Sequence, residues 1–338
     1  MVLRAPGALL SAPVPPGRAQ GVPQRCAVLG HPVGHSLSPL LHRAAYVDLG
    51  LDWTYDAVDV DAEGLPAFFR DIGVRDTGPR DTGGPASPWR GLSLTMPLKW
   101  AVLPLLDELD PVAATVGSVN TVVFGPHRPG ADPLRRGANT DVAGVRAALA
   151  GRPTRSVVIL GAGATACSVL AALPAEAEVT VLARDPARAD RLRALADLLA
   201  RPVAVGRLDG SHVGRDGTGR DGIGRDAVGE RPQVLVSTLP GGAVDAALLS
   251  DLGPRVLPGP DGTVLDAVYA GWPTPLGHAG AVTGALVLSG LDLLVHQAAA
   301  QVRLMTGYPV APAVLGAALV TAGVPGSVDL ATRLLGRT

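Results

Sequence analysis

Beyond residue 24 the chain opens on a short apolar run, CAVLG (Cys26–Gly30), that ends in glycine, and the pattern then changes period. In HPVGHSLSPLLHRAAYVDLGL the apolar positions Leu40, Leu41, Ala44 and Ala45 recur at helical spacing, with Ser36 or Ser38 placed as N-cap and Pro39 in the first turn. Strand, turn and helix therefore follow in order. Alternation in WTYDAVDV predicts a second strand, EGLPAFFRDIG a second helix, and RGLSLTMP and SVNTVVFG two more strands. The second half repeats the theme. SVVILGAGATACSVLAAL reads as buried strand, glycine turn and helix, and EVTVLARDPARADRLRALADLL as strand and amphipathic helix. PQVLVSTLP and GTVLDAVY are two further strands, and Leu286–Thr306 and Ala311–Ala322 are long apolar helical stretches. Alternating β and α units predict an α/β fold with mainly parallel sheets, and 338 residues suit two domains.

Three segments break this pattern. Residues 1–24 carry two arginines and several prolines around a short GALL core, without the apolar stretch or cleavage site of a signal peptide, and are expected to be a disordered leader. Gly73–Pro88 reads as a Gly/Pro-rich insertion. GSHVGRDGTGRDGIGRDAVGE (210–230) repeats GRD with almost no apolar content, which predicts a disordered loop.

A net charge of −1 gives no basic field for nucleic acid. The most apolar stretches contain Gly-Ala-Gly or Asp292, His296 and Gln297, so no membrane partner is expected. Cys26 and Cys167 sit in apolar runs with neither disulfide nor zinc spacing, as buried thiols in a reducing cytoplasm would.

Candidate chemistry starts from scarcity. Of 29 lysines and arginines only Lys99, in GLSLTMPLK, is lysine. A codon bias towards arginine leaves a stray lysine anywhere. Chemistry offers the other reading, because guanidinium stays charged whereas an amine gives and takes protons. Asparagine occurs twice, as Asn120 in GSVNTVV and Asn139 in GANTDVAG. Ser36, Ser38, Thr95, Asn120 and Asp141 occupy short polar islands near strand ends, where open α/β sheets bind ligands; Asp141 also suits a plain helix cap.

Gly161-Ala162-Gly163-Ala164-Thr165-Ala166 fits G-x-G-x-x-A between a strand and a helix, where backbone N–H groups approach a pyrophosphate. A tight turn alone has the same pattern. About 20 residues on, Arg184 and Arg188 would suit a 2′-phosphate and thus NADP. Asp185 between them reads either as a helix cap or as the ribose partner of an NAD enzyme.

Together these stretches resemble the shikimate dehydrogenase family. GHPVGHSLSPLLH, GLSLTMPLK, GSVNTVV, GANTDVAGV, LGAGATA, ARDPAR, DAVYAGWPTPL and SGLDLLVHQAAAQVRLMTG stand in family order over roughly residues 25–320. The resemblance implies reversible NADPH-dependent reduction of 3-dehydroshikimate to shikimate, a step towards chorismate and the aromatic amino acids. Lys99 and Asp141 match its catalytic pair, and Ser36, Ser38, Thr95, Asn120, Tyr269 and Gln297 its further substrate contacts. Tyr269 also reads as a packed core tyrosine.

A substrate domain is expected over 25–140 plus 289–338, and a Rossmann-type NADP domain over 141–288, with the active site in the cleft between them. The expected ligand partners are small molecules, with no metal, and the expected state is a monomer or homodimer. An NAD-dependent quinate/shikimate dehydrogenase and a non-catalytic sensor are the other readings of the scaffold. Departures from the family pattern are Ser93 for asparagine, Ala183 for asparagine, Asp185 for a frequent threonine and Ala164 for glycine.

Overall fold

The computed structural model describes residues 23–75, 89–125, 133–208 and 231–336. The leader to residue 22, the insertion from residue 76 and the GRD loop lie outside the described residues. The first sheet comprises β1 (Arg25–Gly30), β2 (Thr54–Asp59), β3 (Trp89–Leu94), β4 (Glu108–Leu109), β5 (Thr121–Phe124) and β6 (Arg135–Ala138), in the order β2-β1-β3-β5-β6-β4. Helices α1 (Ser38–Asp48), α2 (Leu65–Arg75), α3 (Leu98–Ala101) and α4 (Pro111–Val116) connect its strands.

This sheet is mixed rather than mainly parallel. β1 runs parallel to β2 and β3, but β5 is antiparallel to both β3 and β6. Only residues 125–134 separate β5 from β6, fewer than the crossover of a parallel pair requires. Period-2 alternation sorts β1 between two cores. Ala27 and Leu29 face a cluster with Leu65, Phe69, Leu92 and Leu94, while Cys26 and Val28 face Tyr46 and Tyr55 on the other side.

From α5 (Asp141–Ala148) the chain enters a second sheet of β7 (Ser156–Leu160), β8 (Glu178–Ala183), β9 (Val203–Arg207), β10 (Val234–Ser237), β11 (Thr263–Asp266) and β12 (Leu286–Leu288). Its order is β12-β11-β10-β7-β8-β9, and every pairing is parallel. Helices α6 (Ala164–Ala172), α7 (Asp190–Leu198), α8 (Ala246–Leu252) and α9 (Pro275–Val282) link the strands. Val157 and Ile159 enter one apolar cluster and Val158 and Leu160 another, so both faces are covered as a parallel sheet requires. Burial pushes the thiols of Cys26, in β1, and Cys167, in α6, up to about 12 and about 11.

Leu286–Thr306 is not one helix. Its first three residues extend the second sheet as β12, and α10 (Gly290–Thr306) begins anew behind Ser289. Ser289 and Asp292 form a reciprocal capping box, which fixes that start. At about 1.5 Å per residue α10 is roughly 25 Å long. It returns the chain to the first sheet, where Arg90 Nε donates to the Met305 carbonyl at 2.8 Å. With α1, α11 (Pro312–Thr321) and α12 (Ser327–Leu335) it closes a third core around Leu41, Leu291, Val295, Leu315 and Leu330. Among the described residues no helix is long and apolar enough to cross a membrane.

The Asp292 carboxylate has two tasks, capping α10 and receiving Arg333 of α12 through both oxygens, at 2.9 and 2.8 Å. Asp292→Ala removes its half of the capping box and leaves the half-buried guanidinium unpaired. A loss of about 2–4 kcal/mol is expected. Urea denaturation measures it, and an unchanged midpoint would show that α12 is held by its apolar face alone.

Candidate active site

Lys99 stands in the one-turn helix after β3, and its backbone is pinned by the Val119 N–H, which donates to the Lys99 carbonyl at 2.9 Å. Its Nζ donates to Asp141 Oδ2 at 2.5 Å, with the lysine 15% and the aspartate 2% exposed. Asp141 is the first residue of α5 rather than its cap; that position falls to Thr140, whose side chain makes no capping bond. The carboxylate is free for other partners. Its Oδ1 accepts from Asn120 Nδ2 at 2.8 Å.

The two carboxamides beside this pair have fixed orientations. Thr140 N donates to Asn120 Oδ1 at 2.8 Å, so the Asn120 amide nitrogen must face Asp141 and Gln297, whose Oε1 it meets at 3.0 Å. Gln301, one turn further along α10, donates from Nε2 to the Asn120 carbonyl at 3.2 Å. Gln301 Oε1 is therefore an acceptor, taking Ser93 Oγ–H at 3.0 Å and His42 Nε2–H at 3.3 Å. Ser93 in turn accepts from the Tyr55 hydroxyl at 2.6 Å.

Two adjoining spaces meet at Lys99. The larger, about 630 Å³, runs from Thr95, Lys99 and Trp100 to Gly163, Thr165 and Thr238 across the gap between the sheets. The smaller, about 160 Å³, is lined by Ser36, Ser38, Ser93, Thr95, Asp141, Tyr269 and Gln297, among others. Asn120 stands behind that wall, 1% exposed, where it orients Asp141 and Gln297. Ser36 and Ser38 do not cap α1 with their side chains: Leu37 is the cap residue, Ser38 is the first helical residue, and Ser38 N donates to Ser36 Oγ at 3.3 Å.

The loop carrying these serines is tied down by Asp59, which accepts from Val33 N at 3.2 Å and pairs with His31. The pair raises His31 and lowers Asp59 from their ordinary values. Tyr269 packs on the third core and also reaches the cavity; burial raises its hydroxyl, partly offset by bonds from Leu37 N–H and Ser36. Its loop hangs on Asp266, which accepts from Thr274 Oγ1 at 2.7 Å and Val268 N at 3.2 Å. Burial also raises the Asp266 carboxyl.

On the other side, Gly161 has φ +102, and a Cβ there would meet Thr238 Oγ1 at 2.6 Å, so the turn is built for glycine. At Gly163, the cap of α6, a Cβ would meet no protein atom within 4 Å and would project into space before the helix N-terminus. That space and the cleft fit a dinucleotide phosphate. Gly163, Ala164 and Thr165 line it, whereas Gly161 and Ala166 are buried and Ala162 is packed on the core. Arg184 is exposed just past β8, beside the glycine turn, since Gly161 N donates to the Leu182 carbonyl. Asp185 caps the following 3₁₀ turn, accepting from Ala187 N at 3.1 Å. The Arg188 side chain lies outside the described residues. No cluster of three or more His, Cys, Asp or Glu suited to a metal occurs among the described residues.

Sequence reasoning did not single out Tyr55, His42 or Gln301. The signal for Gln301 is its i, i+4 spacing from Gln297 on an apolar helix.

A doubly wound parallel sheet whose glycine turn opens on an amine–carboxylate pair held by a second α/β layer defines a two-domain dinucleotide-dependent oxidoreductase. The sequence pattern described as "Shikimate dehydrogenase substrate binding domain" matches residues 28–122. The NADP(+) shikimate dehydrogenase of Methanosarcina barkeri is 33% identical over 291 residues, 83% of this chain and 91% of that one. A Mycobacterium fortuitum shikimate 5-dehydrogenase crystal structure has a TM-score of 0.66 at 38% identity, covering 88% of this chain and 97% of that one. The Thermus thermophilus enzyme in complex with NADP(H) and shikimate has a TM-score of 0.67 at 32% identity, covering 88% and 99%. The chain belongs to the shikimate dehydrogenase family.

His42 is fully buried and stacked on Tyr55 at 4.0 Å, and burial pulls its pKa down to about 4. The unfolded chain therefore binds a proton between about pH 6.5 and 4 that the folded chain refuses, so stability is lost as pH falls through that window. The expected slope reaches up to about 1.4 kcal/mol per pH unit. Denaturation midpoints at pH 7 and 5, compared with His42→Gln, isolate the contribution; equal slopes in both proteins would assign the acid loss to carboxylates.

Proposed function

We propose that this chain is an NADP-dependent shikimate dehydrogenase that reversibly reduces 3-dehydroshikimate to shikimate. The observation that carries the reading is the Lys99–Asp141 pair at 2.5 Å, which stands where the glycine-turn cleft meets the smaller polar cavity. NADPH, when bound, supplies the hydride to the keto carbon.

The chain's own residues handle the proton and the geometry. An ammonium has three N–H groups. One is committed to Asp141, and another faces the cavity, where it donates to the oxygen that becomes alkoxide. Asp141 keeps the amine in place and balances its charge, and the partial exposure of Lys99 lets solvent return the proton afterwards. Ser36, Ser38, Thr95, Tyr269 and Gln297 form the polar wall for the substrate's hydroxyls and carboxylate, and Asn120 acts through Asp141 and Gln297. Residues 25–140 with 289–338 form the substrate domain, and 141–288 the cofactor domain. The two buried thiols suit a reducing cytoplasm, and the working unit is a monomer or homodimer.

Shikimate-dependent reduction of NADP by wild type, with Lys99→Ala about 10²–10⁴-fold slower in kcat, is the expected result. Activity that survives in Lys99→Ala would remove the amine from the chemistry, and turnover of quinate with NAD would favour a catabolic enzyme.

Cofactor choice rests on Arg184, because the Asp185 carboxylate already serves its own turn. Arg184→Ala is expected to lower kcat/KM for NADP about 10–100-fold while leaving NAD unchanged. Equal losses with both cofactors would mean that the guanidinium does not read the 2′-phosphate.

A further inference from the structure

Lys99 Nζ has a second partner, on a helix of the second sheet. It donates to Thr165 Oγ1 at 3.3 Å, across 66 positions of sequence, and Thr165 belongs to the first turn of α6, directly after the glycine turn. Two of the three N–H directions of a tetrahedral ammonium are then assigned, one to Asp141 and one to Thr165, and these two fix the third.

Thr165 is itself held in place. One helical turn on, Ser168 is fully buried and meets Asn139 Nδ2 at 3.1 Å, while the same nitrogen donates to the Ser118 carbonyl at 3.0 Å. Thr165 and Ser168 lie at i and i+3, so one face of α6 is fastened to the substrate side at two points. Asn139, the second of the chain's two asparagines, thus serves the fastening rather than the substrate wall.

We propose that Thr165 is a positioning residue for the reaction. Its hydroxyl aims the Lys99 ammonium, so that the amine is directed at the reacting oxygen only when the glycine turn is in register with the substrate side. This rests on the activity proposed above and adds to it a residue that acts through the lysine. A bare cofactor contact predicts something else, namely weaker dinucleotide binding with the chemistry unchanged.

The test uses Thr165→Val, which keeps the shape and removes the hydroxyl, and Thr165→Ser, which restores it. NADPH affinity is read from the fluorescence of the bound nucleotide, beside kcat and KM for shikimate. The expected result is a kcat about 10-fold lower in Thr165→Val, with KM and NADPH affinity within twofold of wild type, and recovery in Thr165→Ser. Unchanged kcat in the valine variant would overturn the proposal, as would a loss confined to NADPH affinity. Unfolding midpoints separate a folding defect, and Thr165→Ala replaces the valine if that variant is unstable. A wild-type chain without shikimate-dependent NADP reduction would overturn the activity itself, and the role of Thr165 with it.

Discussion

The site depends on which way one carboxamide points. The Thr140 backbone N–H locks the Asn120 oxygen, and the amide nitrogen is thereby turned onto Asp141 and Gln297. Three elements distant in sequence, β5, α5 and α10, are brought together at this side chain. An aspartate in its place would set carboxylate against carboxylate, and an alanine would take away the bonds to the Thr140 N–H, Asp141 Oδ1 and Gln297 Oε1 together, a larger penalty than one bond is worth. The lysine inherits this order through Asp141, which has one oxygen for the carboxamide and one for the amine.

Much of the layout was legible in the sequence because its signals are local. Strand, glycine turn and helix from Ser156 to Ala172 announce themselves within one segment, and the isolation of Lys99 among arginines is visible without any structure. Short strands escaped: β4, at the sheet edge, has two residues, and its neighbour β6 is led by two arginines. The stretch from Leu286 merged into one apolar helix because three strand residues show no period of their own, although the Ser289–Asp292 capping box lay in the text. Boundaries between a strand and a following helix are set by hydrogen bonds that hydropathy does not encode.

The direction of side chains was not legible at all. Asn120 looks like a residue facing a ligand, and only folding shows that it stands behind the wall. His42 and Gln301 lie 259 positions apart, and nothing local in either segment predicts that they meet. Tyr55 likewise reads as an ordinary strand position, and its bond to Ser93 is formed only when β1 is laid between β2 and β3. Ser36, Ser38 and Thr95, which line the smaller cavity, sit in recognisable polar islands, whereas His42, Tyr55 and Gln301 are dispersed through apolar runs, where sequence pattern registers only the run.

That orienting layer gives the small cavity a polarity. Because Gln301 is anchored by a backbone carbonyl, the hydrogen of Ser93 is already spent inward, and so is that of Tyr55. Towards the cavity Ser93 can present only a lone pair. The wall at that point works as a filter by repulsion: a ligand hydroxyl turned towards it supplies the missing hydrogen, while a carbonyl or carboxylate oxygen in the same place meets electron density face to face. Substituting serine for a carboxamide therefore changes the sign of the surface as well as its reach.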